Sequence, residues 1–272
     1  MYDPDCLLLN RLPLEKHRKG SKARCHLMTH GSTIEVAARL TGLIHPWGHV
    51  DPSGYWVPQG CDAAEEAQLD KSTRLISDHA TRMRLREWWL GHKAPALTTT
   101  PNWDIASTCT IEGAPGLLLV EAKAHRAELA HTACAAPQGS GSYTRIKEAL
   151  KNAGDDLNRM TPGRIWRLSP DDHPDAAEYD YQIANRFAWA WKLTTMNIPV
   201  VLVYLGLLGA QEMNHPGTIP FSSAADWDRA IRSHGRPMIP EGIWNQKIES
   251  HSRLFIPLIQ SKTIPIEPAE CP

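Results

Sequence analysis

Phenylalanine and several familiar enzyme motifs are scarce or missing in this sequence. Its 272 residues contain three Phe against ten Trp, and a Trp ring serves a protein core and a base-stacking surface equally well. The sequence has no GxSxG and no HExxH motif, and the Gly-Ser-Gly at 139–141 follows no predicted strand. It therefore gives no support to an α/β-hydrolase, an HExxH zinc peptidase or a glycine-rich phosphate loop.

The sequence also lacks paired cysteines, a signal-peptide pattern and a long hydrophobic run. None of the six cysteines belongs to a CxxC pair, which is typical of free thiols in a reducing compartment. The longest apolar run, Ile198 to Ala210, is too short to span a bilayer, and Met1 to Asn10 does not resemble a signal peptide. We therefore expect a soluble, cytoplasmic protein without a membrane partner. The cysteines are Cys6, Cys25, Cys61, Cys109, Cys134 and Cys271.

Neither sign of charge is in excess, but the charges are unevenly placed. The net charge of −1 provides no global attraction to nucleic acid. Basic residues are concentrated from Arg11 to Arg39 and from Lys71 to Lys93, and such patches either bind phosphates or face solvent on helices. The sequence leaves both interpretations open. In the first segment, Lys16, Arg18 and Lys19 are the candidates for binding nucleic acid.

Three segments are expected along the chain: a basic arm over residues 1–30, a core domain over 31–210, and an extension over 211–272 packed on the same domain. Helices are predicted at Ser32–Leu43, Ala63–Leu90 (with a break near Asp70), Tyr143–Met160, Glu178–Met196 and Ala224–Ser233. Strands are predicted at Tyr55–Val57, Trp103–Ile111, Gly116–Lys123, Ile198–Leu205 and Leu254–Ile259. A helix that leads into the buried strand at 198–205 implies a crossover, so part of the sheet should be parallel.

A predicted β-hairpin carries the most informative side chains. Turn residues at 112–115 separate its two strands, and counting from the turn places Asp104 beside Glu121, with Cβ atoms roughly 5 Å apart. Glu121 and Lys123 are two residues apart on one strand and so face the same side of the sheet. Three ionisable groups in a dry core are unfavourable without compensation, and a divalent cation would supply it.

This set of groups fits phosphodiester cleavage. Mg²⁺ or Mn²⁺ binds through one or two carboxylates and keeps several waters, so Asp104 and Glu121 are the predicted metal ligands. The metal acidifies a bound water and neutralises charge on the phosphate, while Lys123 orients that water and stabilises the developing charge. The sequence therefore predicts a metal-dependent nuclease with Asp104, Glu121 and Lys123 as catalytic residues.

The segment Pro101-Asn102-Trp103-Asp104, followed by Glu121-Ala122-Lys123, resembles the motif of the PD-(D/E)xK nuclease superfamily, which includes restriction endonucleases and many repair and defence nucleases. The resemblance covers Glu35 to Leu205. It implies a restriction-endonuclease-like α/β (α+β) fold whose αβββαβ core has a mixed central sheet flanked by helices. The Asp then lies on the second core strand and the ExK on the third, and DNA is the expected nucleic acid. This sequence departs from the pattern, because Asn102 and Trp103 separate Pro101 from Asp104.

Two predicted helices carry further site candidates. The family often has a Glu on its first helix that reaches the metal through water, and Glu35 holds that place. Ser32 to Glu35 is also a capping box, which accounts for Glu35 without any site role. Gln182 and Arg186 share one face of a later helix. Exonuclease-like members carry such a Gln but have a Tyr where this chain has Arg186, which can grip a phosphate or face solvent.

Other interpretations stay open. Asp104 can cap a turn, and Glu121 with Lys123 can form a solvated pair at a strand end. The alternative function is a catalytically silent protein of the same fold that binds nucleic acid or a protein partner. A homodimer is also left open. A glycoside hydrolase with paired carboxylates is disfavoured, because a lysine stands beside the carboxylates.

Overall fold

A computed structural model describes residues 8–12, 15–92, 98–130 and 133–266. The α-helices in these ranges are α1 (Gly20–Met28), α2 (Thr33–Ile44), α3 (His79–Leu90), α4 (Gly141–Met160), α5 (Tyr181–Thr195) and α6 (Ala224–Gly235). The strands are β1 (Gly48–His49), β2 (Trp56–Val57), β3 (Ile105–Ile111), β4 (Ala114–Lys123), β5 (Val200–Leu208), β6 (Ile248–Ser250) and β7 (Arg253–Thr263). Cys6, Lys93, Cys271 and part of the predicted arm lie outside the described residues.

All of these strands join one mixed sheet. Their order is β1-β3-β4-β5-β7-β6, and β2 also pairs with β3. Strand β3 is antiparallel to β4, whereas β4 and β5 run parallel, as do β5 and β7. The parallel pairing of β4 with β5 confirms the predicted crossover, since α4 and α5 connect these strands. The protein therefore has a mixed α/β fold.

Alternating side chains give the sheet two apolar faces. On β4, Leu117 and Leu119 belong to one core with α3 to α6, whereas Leu118 and Val120 belong to a second core with α1 and α2. Burial on both faces explains the continuous apolar run of this strand. Because side chains alternate along a strand, Glu121 and Lys123 project into the layer of α3 to α6. The charged end of β4 therefore meets α5, which belongs to that layer.

The tryptophan-rich composition is largely explained by the core. Five indole rings are less than 2 % exposed. Three rings, those of Trp88, Trp89 and Trp189, pack with centroids 5.1 to 5.6 Å apart. These indoles fill space between helices, so they are not a surface on which bases could stack. The fully buried set comprises Trp89, Trp103, Trp166, Trp189 and Trp227.

The β3–β4 hairpin turns at Glu112 and Gly113. Both residues have positive φ angles, 46° and 82°, as the turn of a tight two-residue hairpin requires. Ile111 pairs with Ala114 and Thr110 with Pro115, so Ala114 and Pro115 belong to β4. The predicted turn at 112–115 is therefore wrong in its second half, although the hairpin itself is confirmed.

Residues 63–78 differ most from the sequence prediction. The predicted helix Ala63–Leu90 is wrong over this stretch, and α3 begins only at His79, where the Asp78 carboxylate accepts a 2.8 Å hydrogen bond from Thr81 N. Upstream, Ala67 and Trp103 exchange two backbone hydrogen bonds. This tertiary pairing outweighs the helical propensity of an Ala- and Glu-rich stretch.

The N-terminal segment is folded where the structure describes it. The sequence predicts an aperiodic basic arm, whereas Gly20–Met28 form α1 and pack against β4. Arg24 is fully buried and donates to the Glu212 carboxylate at 3.0 Å and to the carbonyl oxygen of Ile264 at 2.9 Å. The interpretation of this segment as an arm is therefore wrong for α1. Through Arg24, this helix contacts Glu212 and Ile264 in the C-terminal part of the described chain.

Two further expectations concern thiols and membranes. The cysteines that the structure describes, Cys25, Cys61, Cys109 and Cys134, are free thiols, as expected. None of the helices in the described ranges combines the length and the apolar character that crossing a membrane requires.

Candidate active site

The hairpin register places Asp104 opposite Glu121. Ile105 pairs with Val120, so the next position along both strands brings residues 104 and 121 together. The Asp104 carboxylate also accepts a 2.8 Å hydrogen bond from the backbone N–H of Ala122. The adjacency that counting along the sequence predicts is confirmed, and the backbone of β4 holds the Asp104 side chain in place.

Glu121 is the centre of the charged cluster. Its side chain is only 2 % exposed, and each carboxylate oxygen accepts a hydrogen bond from a different cation. Lys123 Nζ lies 2.6 Å from Oε1, and Arg186 Nε lies 2.6 Å from Oε2. Lys123 also donates to Oε1 of Gln182 at 2.7 Å. The side chains predicted from the hairpin and from the later helix therefore meet in one hydrogen-bonded network.

Helix α5 delivers Gln182 and Arg186. The Asp180 carboxylate caps this helix through Ile183 N at 2.9 Å, and the four-residue spacing puts Gln182 and Arg186 on one face. The buried Arg186 donates to the carbonyl oxygen of Asn102 at 2.7 Å, and its guanidinium lies 4.5 Å from the centre of the Trp103 ring. It therefore ties α5 to the segment that leads into Asp104.

The charges of the cluster shift the pKa values of its members in different directions. Burial and the neighbouring Glu121 raise the pKa of the partly buried Asp104 to about 7. Burial alone would raise the pKa of Glu121, but Arg186 and Lys123 hold it below its usual range. Burial alone would lower the pKa of Lys123, but Glu121 and Asp104 keep it above its usual range. Glu121 and Lys123 are therefore charged near neutral pH, while Asp104 titrates there.

The raised pKa of Asp104 predicts how the stability of the metal-free protein depends on pH. A carboxyl whose pKa is higher in the folded than in the unfolded chain stabilises the fold below its unfolded pKa of about 3.9. That contribution is lost as the pH rises through 7. The melting temperature in EDTA should therefore fall more steeply between about pH 5 and pH 8 for the parent than for Asp104→Asn. Asp155→Asn, an exposed carboxyl on α4, should keep the parent slope, and equal slopes for the parent and Asp104→Asn would contradict the prediction.

Two adjoining cavities open at this cluster. The larger, called the main cavity, has a volume of about 1310 Å³ and is lined by Asp104, Glu121, Lys123, Gln182 and Arg186 among others. The smaller, called the side cavity, has a volume of about 610 Å³, and Asp104 lines it as well. The candidate site therefore borders two cavities that a ligand can enter. An ion pair sealed in the core would border none.

The structure adds Glu66, which sequence reasoning did not single out as a site residue, and brings Glu128 to the same site. Glu66 lines both cavities, pairs with Lys22 at 2.6 Å and accepts a hydrogen bond from Asn102 at 2.8 Å. Glu128 lines the main cavity and accepts a hydrogen bond from Ser21 at 2.8 Å. The irregular segment 63–78 carries Glu66, and it was predicted to be a helix, so no signal in the sequence located this residue. Glu128 lies in the short 3₁₀ helix Arg126–Leu129 that follows β4.

Four other candidates are placed elsewhere. Glu35 is exposed, and its carboxylate completes the predicted capping box with Ser32 N and Oγ at 3.0 and 2.8 Å. Arg18 donates to the carbonyl oxygen of Leu12 at 3.0 and 3.2 Å, and Lys16 and Lys19 are exposed. None of these four side chains lines either cavity. The structure therefore gives Glu35 a local role that accounts for it, and it brings none of the four to the cluster.

Comparisons with known proteins do not assign a function to the site. No family model, curated protein or solved structure matches this chain. The resemblance to the nuclease superfamily therefore depends on the motif residues alone.

The fit of a divalent cation depends on the donor set. Over the ranges that the structure describes, no group of three or more His, Cys, Asp or Glu side chains is placed to hold a metal ion. Mg²⁺ needs only one or two carboxylates, because it keeps several waters. Asp104 and Glu121 supply these, and both line the main cavity. The residues present therefore fit one hydrated divalent ion.

Proposed function

We propose that this protein is a Mg²⁺-dependent nuclease that hydrolyses phosphodiester bonds, with DNA as the expected substrate. The observation that carries the proposal is the convergence of Asp104, Glu121 and Lys123 on the wall of the open main cavity. Phosphodiester hydrolysis needs ligands for a cation and a fixed positive charge near the phosphate, and this wall offers both.

Each residue of the cluster has its own part in the proposal. Asp104 and Glu121 would hold the metal, which when bound acidifies a water and offsets charge on the phosphate. Lys123 keeps its proton because its pKa is raised, so it donates to the attacking water or to a phosphate oxygen. Gln182 and Glu121 orient that ammonium, and Arg186 holds Glu121 from the opposite side.

The order of elements supports the same proposal. Asp104 immediately precedes β3, Glu121 and Lys123 end β4, and the next strand in the chain, β5, runs parallel to β4. This order is the one that the resemblance implies for the second, third and fourth core strands. Two differences remain: two helices, α4 and α5, separate β4 from β5, and the sheet continues beyond β5 into β7 and β6.

The alternative is a protein of the same fold that binds nucleic acid or a protein partner without cutting. Both oxygens of Glu121 already accept hydrogen bonds from cations, which favours a structural role for this carboxylate. Each carboxylate oxygen has two acceptor positions, however, so a hydrogen bond and a metal ion can share one oxygen. Measured hydrolysis separates the two functions.

Cleavage by the purified protein should require Mg²⁺ or Mn²⁺ and stop in excess EDTA. Suitable substrates are supercoiled plasmid, linear duplex, single-stranded DNA and RNA, followed on gels. Ca²⁺ should support binding with little cleavage, because it acidifies water less than Mg²⁺ does. Asp104→Asn should abolish cleavage, whereas Asp155→Asn, the same change at an exposed position, should not. Undiminished cleavage in EDTA, or by the folded Asp104→Asn protein, would rule out this mechanism.

A further inference from the structure

The side cavity adjoins the main cavity at Asp104. Four residues line both cavities: Lys22, Glu66, Asn102 and Asp104. The Lys22–Glu66 ion pair therefore lies where the two cavities meet. A polymer whose reacting phosphate sits at Asp104 would have one neighbouring unit in each cavity. The proposed function accounts for the main cavity and leaves the side cavity without a role.

Two exposed cations lie on the wall of the side cavity. Lys71 and Arg74 line it, both are exposed, and in the described part of the chain neither forms an ion pair with a carboxylate. Other arginines of the same basic segment are engaged elsewhere. Arg82 is buried and donates to the carbonyl oxygen of Ile76 at 2.6 Å, and Arg86 pairs with Asp70 at 3.2 Å. Arg84 is exposed and donates to Thr81 Oγ1 at 3.0 Å, but it lines neither cavity, and Lys93 lies outside the described residues. Lys71 and Arg74 are therefore the described cations of this segment that line the side cavity.

An aromatic ring lies beside these cations. The guanidinium of Arg74 is 4.1 Å from the centre of the Tyr55 ring, and Tyr55 lines the same cavity. Flat groups of this kind are surfaces on which unpaired bases stack, and arginine adds a contribution from its charge. Three carboxylates line this wall. Glu66 is neutralised by Lys22, Asp104 belongs to the candidate site, and Glu65 is the third. Cations and a stacking surface thus occur together.

The size of the side cavity limits what can enter. Its volume of about 610 Å³ suits a single nucleotide, since pockets of roughly 300–1,000 Å³ hold ligands of that size. A base inside a duplex cannot enter such a cavity without leaving its stack, which opposes the binding of an intact duplex. A single strand or a frayed end has no such requirement.

We infer that the side cavity binds the nucleotide next to the reacting phosphate and makes the protein selective for single-stranded nucleic acid. Lys71 contacts the phosphate of that nucleotide, and its base stacks on the guanidinium of Arg74, which lies over the Tyr55 ring. The inference rests on the proposed nuclease function for the position of the reacting phosphate. Binding in the side cavity requires no metal and no cleavage, so it can be measured separately.

The test compares two charge-reversal variants of equal size. Lys71→Glu with Arg74→Glu changes the side cavity, and Lys262→Glu with Arg229→Glu changes an exposed lysine and an exposed arginine that line neither cavity. Fluorescence anisotropy in EDTA at several salt concentrations measures the affinity for three labelled probes. The probes are a single-stranded DNA oligomer, an RNA of the same sequence and a blunt DNA hairpin.

The parent should bind one or both single strands at least about tenfold more tightly than the hairpin. The Lys71→Glu/Arg74→Glu variant should bind single strands at least about tenfold more weakly, and its salt slope should fall by about 0.7 for each phosphate that it no longer neutralises. The Lys262→Glu/Arg229→Glu variant should bind like the parent. The DNA and RNA arms show which sugar the cavity accepts. Should the reversal variant fail to fold, Lys71→Gln with Arg74→Gln removes the same charges more mildly.

Three results would overturn the inference: equal binding of hairpin and single strands by the parent, parent-like binding by both cavity variants, or equally weakened binding in the cavity and control variants. Failure of the proposed function has a different signature. Single-strand binding that depends on Lys71 and Arg74, without any Mg²⁺-dependent cleavage, would support the binding site and reject the nuclease. Mg²⁺-dependent cleavage together with parent-like binding by the cavity variants would support the nuclease and reject the binding site.

Discussion

Replacing Lys123 with alanine is expected to lower cleavage turnover by on the order of 10²-fold or more and to leave the affinity for nucleic acid nearly unchanged. The ammonium is fixed between Glu121 and Gln182 and keeps its proton. In the proposed nuclease it would act on charge that develops only during the reaction. Single-turnover cleavage with saturating protein measures the rate, and anisotropy in Ca²⁺ measures the affinity.

The matched control for this variant is Lys151→Ala. Lys151 is exposed on α4, pairs with Asp155 at 2.7 Å and lines neither cavity, so its replacement should change neither quantity. Thermal melting shows whether the Lys123→Ala protein is folded. Cleavage at the parent rate by the folded variant would give Lys123 a structural role only. A fall in affinity as large as the fall in rate would make it a ground-state binding residue.

Replacing Arg186 with methionine should destabilise the fold by about 3–5 kcal/mol, the range for removing one partner of a buried ion pair. Glu121 is 2 % exposed, and Arg186 is the cation on its Oε2 oxygen, so the variant leaves that oxygen buried without its partner. Arg186 also bridges to Asn102, which leads into Asp104. Chemical denaturation in urea measures the change in the free energy of unfolding.

The cause of that destabilisation can be isolated with a second substitution. Adding Glu121→Gln to Arg186→Met removes the buried negative charge, so the double variant should be more stable than Arg186→Met alone. Arg159→Met removes an exposed partner of Asp156 and should lower the free energy of unfolding by no more than about 1 kcal/mol. If the double variant were less stable than Arg186→Met, the packing of the Arg186 side chain would explain its contribution to stability better than its charge does.

Local patterns determined the parts of the candidate site that lie close together in the sequence. The hairpin could be located from its turn residues and apolar strands. Counting along it placed Asp104 beside Glu121, which agrees with the Ile105–Val120 pair and with the hydrogen bond from Ala122 N–H to Asp104. The spacing of two residues put Glu121 and Lys123 on one face, and the spacing of four put Gln182 and Arg186 on one face of α5. These relations depend only on strand and helix geometry, which is the same in every protein.

Sequence patterns failed where a tertiary contact outweighed a local preference. Residues 63–78 have helical composition, yet Ala67 pairs with Trp103 and the segment follows the edge of the site instead. The basic N-terminal segment folds into α1, and its buried Arg24 is neutralised by Glu212, a residue far away in the chain. A local pattern cannot reveal partners that are distant in sequence.

The sequence alone thus determined the mixed sheet, its parallel crossover, the adjacency of Asp104 to Glu121 and the shared face of Glu121 and Lys123, since periodicity and short spacings encode them. The tertiary structure decided that Arg186 binds Glu121, that Glu35 stays at its capping box, and that Lys71 and Arg74 line a cavity beside Asp104. The physical reason is the same in each case. Whether a charged side chain faces solvent, a cavity or a partner depends on which distant segments pack around it, and that packing has no local signature.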